Sequence, residues 1–574
     1  MQYAFIRRVV AAATGVVCCI SIHAASIAPV AAEHGMVVTA QHLATQVGVD
    51  ILKKGGNAID AAVAVGYTLA VVYPAAGNLG GGGFMTLQLA DGRKTFLDFR
   101  EKAPLAATPN MYLDAAGNVV KGLSTNGYLA VGVPGSVAGF ESARTKYGTL
   151  SRAALMAPAI RLAEKGFTLE QGDVDLLRTA TSDFRKDAAS AAIYLNKGEP
   201  FAPGQKLKQK DLAKTLRLIS RNGKDGFYKG PVGRALIVAS TAGGGILTQA
   251  DLDQYSVREL APVECDYRGY HVISAPPPSS GGAVICEILN ILEGYPLKEL
   301  GYRSAQAVHF QIEAMRHAYV DRNSYLGDPD FVKNPLDRLL DKGYAAALRA
   351  AIDPAKAAVS KDLKPGVTPH EGTNTTHYSI VDKEGNAVAV TYTLNEWFGA
   401  KVTAATTGVL LNNEMDDFTV KIGVPNFFGL VQGEANAIAP AKRPLSSMSP
   451  TIVTREGKPV MVVGTPGGSR IITAVTHTIL NVIDYGMTVQ EAVDAPRFHQ
   501  QWLPDLTNVD NFGISPDTRK ILEAMGHKLG APQPANHLAA ILVGAPSLEG
   551  KPVGNNRFYG ANDPRRNTGL AMGY

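Results

Sequence analysis

The sequence predicts an α+β fold built from layered sheets, and two observations lead there. Helical and strand patterns arrive in blocks, not in the strict alternation that a doubly wound parallel sheet needs. With 574 residues, 46% hydrophobic and 19% charged, the chain is also long enough to bury a large core or two core-bearing layers.

The first element is a leader. Arg7 and Arg8 precede an apolar run and then small residues, the pattern of a secretory signal over residues 1–25, with cleavage as late as residue 32. Its loss takes the formal charge from +5 to +3 without leaving a long basic run, so nucleic acid is not an expected partner. No later apolar stretch is long enough to span a bilayer, and Cys18 lacks the small residue that precedes a lipoprotein cysteine. The expectation is a protein without a membrane anchor, secreted across the inner membrane into the periplasm. Cys265 and Cys286 remain, and either a disulfide or two buried thiols fits them.

Next, "TAQHLATQVGVDILKKGGNAIDAAVAVGYTLAVVYP" reads as two helices separated by Gly55 and Gly56, with apolar residues recurring at three and four. "NLGGGGF" follows and feeds a strand from Phe84 to Leu89, an "ADG" turn and a return strand ending at Arg100. These glycines lack the Lys-Ser/Thr of a phosphate loop, so their backbone approaches something other than a nucleotide or simply packs closely. Charged helical sequence fills much of 136–240 and 303–355, and "SAPPPSSGGA" at 274–283 marks a loop between them. Residues 355–374 have no hydrophobic period and read as an exposed linker. Strands are predicted at 376–382, 386–394, 407–411, 450–454 and 458–464, a helix over Ser469 to Ile483, and helical patterns near 488 and 516. There is no internal repeat.

Several chemistries are absent from the sequence: no Walker A loop, HExxH, GxSxG elbow or EF-hand loop. His309, Glu313 and His317 lie four apart on a predicted helix, but without a third histidine the spacing reads as i,i+4 surface pairing, and no metal is expected. The informative stretch is "EGTNTTHYSIVDKEGNAVAVTYTLN". If "KEG" is a three-residue loop with Gly385 left-handed, every cross-strand pair has numbers summing to 768, and Thr375 faces Thr393. One face then carries Thr376, Tyr378, Ile380, Val388, Val390 and Tyr392, a core face. The other carries Thr375, His377, Ser379, Thr391 and Thr393, a small polar face suited to a cleft.

Threonines favour strands without any chemical role. Thr375, however, sits where the linker becomes a strand. A cut at Asn374–Thr375 makes it N-terminal, and its own α-amine then serves as general base for its hydroxyl. Downstream, "VVGTPGGSRIITAVTHTILNVI" runs a strand through Gly467 and Gly468 into a helix, where paired backbone N–H groups suit an oxyanion hole.

"TTHYSIVDKEGNAVAVTYTLN", "LLNNEMDDF", "KRPLSSMSPT", "GTPGGSRI", "GNLGGGGFM" and "LDFREKAP" together resemble γ-glutamyltranspeptidase, an N-terminal nucleophile hydrolase, over essentially the whole mature chain. The resemblance implies a four-layer αββα sandwich and self-cleavage into a large subunit, 33–374, and a small subunit, 375–574, that stay together as a heterodimer. It implies Thr375 as nucleophile, Thr393 as its hydrogen-bond partner, and Gly467 and Gly468 as the oxyanion hole. Arg100 would hold the α-carboxylate of a γ-glutamyl group with Ser446 and Ser447, while Asn395, Glu414 and Asp417 surround its α-amine. A zwitterion is well read by a guanidinium fork on one side and carboxylates on the other.

Two positions vary from the family pattern. Glu414 stands where some bacterial relatives have Gln, and in the lid segment Phe418 to Val431, Phe428 stands where a gating Tyr is frequent, so a hydroxyl is lost there. The implied activity is attack of Thr375 on glutathione or a similar donor, giving a γ-glutamyl ester that water, an amino acid or a dipeptide resolves, without metal or cofactor. One alternative keeps the fold and changes the donor, to a cephalosporin or glutaryl acylase whose substrate lacks the α-amine. Another is an extracellular binding protein with a dead site.

Overall fold

The computed structural model describes residues 26–363, 375–533 and 536–574; the predicted signal segment 1–25 and Asn374 lie outside them. Two seven-stranded sheets, each antiparallel in every pairing, form the centre of the molecule. The first sheet runs 570–573, 36–39, 376–381, 387–393, 82–88, 94–99 and 258–260. The second runs 30–32, 558–562, 539–543, 458–464, 451–455, 270–274 and 263–267.

Helices cover the outer faces. Ala58–Val72 and Ser136–Tyr147 pack on the first sheet, and Gly281–Leu292 and Arg470–Ile483 on the second. One apolar core therefore lies between each helical layer and its sheet, and a third, smaller one lies between the sheets around Met36, Val38, Ala389, Ile452, Val462 and Ile541. This is the expected αββα sandwich. Both sheets contain strands from before residue 374 and from after it, so the two predicted subunits share both sheets.

The hairpin register is as expected. Thr376 pairs with Tyr392 and Ile380 with Val388, and Gly385 takes φ +97° in the turn. Tyr378, Ile380, Val388, Val390 and Tyr392 face the helical core. The polar face needs correction: most of it is not a cleft wall but the sheet-to-sheet interface. His377 Nδ1 meets Thr391 Oγ1 at 2.8 Å and its Nε2 meets Ser379 Oγ at 3.0 Å, while Ser379 donates to the Ala539 carbonyl of the second sheet. Burial pushes the imidazole down to about 3, so it stays neutral. Only the Thr375–Thr393 end of this face opens into a cavity.

Other elements differ from expectation for identifiable reasons. The strand predicted at 407–411 shortens to Val409–Leu410 and pairs with Thr403–Ala404 outside both sheets. The glycine run packs: a Cβ on Gly81 would lie 1.9 Å from the Thr393 carbonyl oxygen. The first part of the predicted linker is largely exposed as expected but is pinned at Ser360, which is buried, its hydroxyl donating to Asp505 and its carbonyl accepting from Trp502 Nε1 at 2.8 Å. Cys265 and Cys286 form a disulfide that joins a strand of the second sheet to the helix covering it.

Gly464 lies in the second sheet where a Cβ would fall 2.2 Å from the His377 ring. Gly464→Ala is expected to destabilise the protein by about 1–3 kcal/mol by forcing the sheets apart. Urea denaturation checks this, and a midpoint equal to that of the parent protein contradicts it.

Candidate active site

Thr375 lies at the lower end of the hairpin, directly before the strand that begins at Thr376. Around it is a cleft of about 300 Å³ lined by Thr375, Thr393, Asn395, Arg100, Glu414, Asp417, Ser446, Ser447 and Gly468. Nine of the residues singled out in the sequence, drawn from five separated segments, thus meet in one place. Gly467 sits immediately behind, and Asn374 falls outside the described residues.

Local hydrogen bonds fix each part. Asn78 donates to the Thr393 carbonyl and accepts from Gly81 N and the Ser136 hydroxyl, tying the strand end to the glycine run. Thr393 Oγ1 accepts the Asn395 amide at 2.8 Å. Asn412 accepts from Glu414 N and donates to the Gly80 and Gly132 carbonyls, which sets the 3-10 turn Glu414–Asp417 beside that strand. Gly467 and Gly468 have φ +134° and +55°, and neither amide donates to an acceptor among the described residues. Two unspent N–H groups at the start of the helix Arg470–Ile483 are what an oxyanion requires.

The electrostatics centre on Arg100. Its guanidinium binds Glu414 through Nη1 and Asp417 through Nη2, with Glu101 3.7 Å away, and Nε donates to the Pro444 carbonyl. Burial weakens this cation, but Glu414, Asp417 and Glu101 more than offset it and hold it above its usual range. Burial likewise raises Glu414 well above the ordinary carboxylate value, against the pull of Arg100, and pushes Glu101 up to about 7. The fork expected to stand open for a carboxylate is thus engaged by the two acids expected to read an amine. Three acids gathered on one guanidinium favour a ligand that carries its own cation.

The family is decided by comparison with known proteins. The sequence profile described as gamma-glutamyltranspeptidase matches residues 44–573. The chain belongs to the γ-glutamyltranspeptidase family. It is 76% identical over 564 residues to a glutathione hydrolase proenzyme of Pseudomonas sp. (strain A14), covering 98% of each chain. It is 50% identical over 548 residues to the glutathione hydrolase proenzyme of Escherichia coli (strain K12), covering 95% of this chain and 93% of that one. Among solved structures, a cephalosporin acylase from Bacillus halodurans matches with TM-score 0.83 at 28% identity, covering 96% and 98% of the two chains.

In this γ-glutamyltranspeptidase family member the Ser446–Ser447 side of the cleft contains a residue that sequence reasoning missed. Arg322, buried on the helix Ala305–Tyr325, donates to Ser447 Oγ at 2.9 Å and to Ser280 Oγ at 3.0 Å. Burial pushes it down to about 10. Because Arg322 fills an acceptor position of Ser447, and Met448 N fills one of Ser446, both serines have their own O–H left to donate. Arg322 lay in sequence read only as charged helix; its signal is that charged residues 313–322 recur on a helix buried all round, which a single sequence does not reveal.

The surface pairing expected of His309, Glu313 and His317 is not found, because all three are buried. His309 and Glu313 gather with His527, not His317. His309 Nδ1 lies 2.7 Å from His527 Nε2, a hydrogen bond, whereas two imidazoles on one tetrahedral zinc stand about 3.3 Å apart. His309 Nε2 is bonded to the Asp353 carbonyl, and Glu313 to Arg316 and Ala358 N, so the group pins residues 353–358 to the long helix.

Phe428 of the lid segment is buried, and its ring occupies the space where a Cβ on Gly468 would come within 2.3 Å. Ring packing thus sets the lid segment against the glycine loop without a hydroxyl. Gly468→Ala is expected to cost about 1–3 kcal/mol from clash and left-handed strain, and less when introduced into Phe428→Ala, where the clash is absent. Melting curves of the single and double variants test this, and an equal added loss in the two backgrounds contradicts it.

Asp416, next to the site, accepts from the Ser124 hydroxyl and from the Phe427 amide of the lid, both at 2.7 Å. Burial nonetheless pushes its carboxyl up to about 7. From the unfolded value of about 3.9 up to that point the folded chain holds the extra proton, so stability falls as pH rises through this window. Asp416→Asn should flatten that slope, as read from urea midpoints at several pH values.

Proposed function

We propose that this protein is a precursor that cuts itself at Asn374–Thr375 and then works as a γ-glutamyltransferase and glutathione hydrolase. One observation carries the reading: a threonine at the linker-to-strand junction shares a cleft with unspent glycine amides and with a charge set matched to an amino-acid head group. In processing, the Thr375 hydroxyl attacks the Asn374 carbonyl carbon, and water opens the resulting ester, leaving Asn374 as a carboxylate and Thr375 with a free α-amine. That amine titrates near about 8, close to working pH, and takes the proton from the hydroxyl in the next attack.

The donor enters with its α-carboxylate toward Arg100 and the hydroxyls of Ser446 and Ser447, and its α-amine toward Asn395, Glu414 and Asp417. The ammonium replaces Arg100 as partner of the acids, and the guanidinium turns to the carboxylate. Thr375 Oγ attacks the γ-carbonyl, Thr393 hydrogen-bonds the nucleophile, and Gly467 and Gly468 take the oxyanion, each donor of that kind being worth about 10²–10³ in rate. The amine leaves with the proton from the Thr375 α-amine. Water, an amino acid or a dipeptide then resolves the γ-glutamyl ester. No step calls on a metal or cofactor.

Both sheets interleave strands from the two sides of the cut, which supports a large subunit, 33–374, and a small subunit, 375–574, that remain a heterodimer. The leader places the protein in the periplasm. No helix of the described residues is long and apolar enough to cross a membrane.

An acylase acting on glutaryl or cephalosporin amides is the second reading, favoured by the fold match to the Bacillus halodurans cephalosporin acylase. Glu414 and Asp417 weigh against it, because a donor without an α-amine leaves both acids without a cation once Arg100 turns. Purified protein is expected to run as two chains with Thr375 leading the smaller, and Thr375→Ala as one inactive chain. A γ-glutamyl anilide should turn over at least about tenfold faster than the glutaryl anilide, a difference of ~1.4 kcal/mol in barrier. Equal rates favour the acylase, and an uncut, inactive wild type favours a binding protein.

A further inference from the structure

We propose that Gln501 is a positioning residue that ties the lid loop to the glycine loop, so that lid closure and alignment of the Gly467 and Gly468 amides occur together. The link to rate rests on the role given above to those amides. Gln501 is 1% exposed and uses its whole hydrogen-bonding capacity. Its Oε1 accepts from the Ser469 hydroxyl at 2.6 Å and stands 2.8 Å from His499 Nε2. Its Nε2 donates to the Gly429 carbonyl at 3.2 Å and to the Leu503 carbonyl at 3.3 Å.

The amide orientation is forced. Two carbonyl oxygens on one side demand the NH₂ group there, which leaves Oε1 for Ser469 and His499. His499 must then carry its proton on Nε2, and its Nδ1, 2.9 Å from Thr473 Oγ1, is left as an acceptor. Burial keeps this imidazole uncharged.

The two loops joined in this way pack against each other beside the cleft. Ser469 directly follows Gly468 and opens the helix Arg470–Ile483, and its carbonyl also accepts from the Tyr319 hydroxyl. Gly429 is in the lid turn, where Asn426 Oδ1 holds the Phe428 and Leu430 amides. Phe428 and Gly429 therefore grip the glycine loop from two sides, one by ring packing on Gly468 and one through Gln501. A lid that lifts must break the Gln501–Gly429 bond, and the amide it leaves behind is the one that orients Ser469. An open cleft has a loosened oxyanion loop, and a filled, closed one has both fixed. Coupling of this kind also keeps water from the ester while the lid is down.

Two variants of the processed enzyme test this by hydrogen exchange and kinetics. Gln501→Leu fills the space and removes all four bonds. It is expected to speed exchange in both 418–431 and 465–470, to lower kcat about tenfold, and to shift the product ratio between water and glycylglycine. Ser469→Ala leaves Gln501 in place and should lower kcat about threefold, the weight of one hydrogen bond, with donor KM and lid exchange unchanged. Gln501→Leu with parental lid exchange and product ratio overturns the proposal. So does unchanged kcat in Ser469→Ala, even if Gln501→Leu fails to process. If the wild type lacks γ-glutamyl transfer, the functional reading falls, while the exchange of 418–431 in Gln501→Leu still decides whether the tie exists.

Discussion

The packing of one hairpin, residues 376–393, constrains everything else in this molecule. Its strands are central in the first sheet, so one face meets helices and the other meets a second sheet. A strand buried on both faces has nowhere to put a polar group except in a closed network or at its end. His377, Ser379 and Thr391 form the network, and Thr375 and Thr393 take the end. The small residue Gly464 opposite His377 is what lets the second sheet come close enough to complete this arrangement. The cleft exists because the two sheets stop meeting there, and the strand-end threonines are the side chains left facing it.

The hairpin was legible because its determinants are local. A turn with Gly385 fixes the register, and the register fixes which residues share a face. The polar face was misjudged because alternation says which side a residue faces and not what covers that side. Only the tertiary contact with Ala539 and Gly464 distinguishes an interface from a cleft wall. The same limit explains the linker: Ser360 looks like any polar loop residue until Asp505 and Trp502 arrive from beyond the cut. Arg322 and Gln501 were hidden for a related reason. Their importance lies in which groups they bridge, and those groups are more than 30 residues away in sequence.

The charge set follows from burial as much as from composition. A guanidinium surrounded by Glu101, Glu414 and Asp417 in a buried site holds more negative charge than it neutralises, and burial answers by raising Glu101 and Glu414. Such a cluster is weak evidence of stability, since the desolvation of its members consumes most of what their attraction gives. Its better explanation is selectivity. Under the proposed function Arg100 stands where the donor's ammonium would bind, and each acid would keep a cation as the donor enters. A ligand with only a carboxylate would claim Arg100 and strand the acids.

This exchange of partners also explains why the lid and the glycine loop need to be tied. Each charge pair formed in a cleft closed to water is stronger than the same pair in water, so what covers the cleft bears on this exchange. The lid carries Asn426 beside Asp417 and Phe427 on Asp416, so its position is felt by the acid turn. Through Gln501 it is felt by Ser469 as well. One loop therefore contacts both the acid turn and, through Gln501, the residue that follows the paired glycines. Under the proposed function, head-group recognition at one end of the cleft and amide alignment at the other would be set by the same closure, so that a donor lacking its α-amine would lose rate as well as affinity.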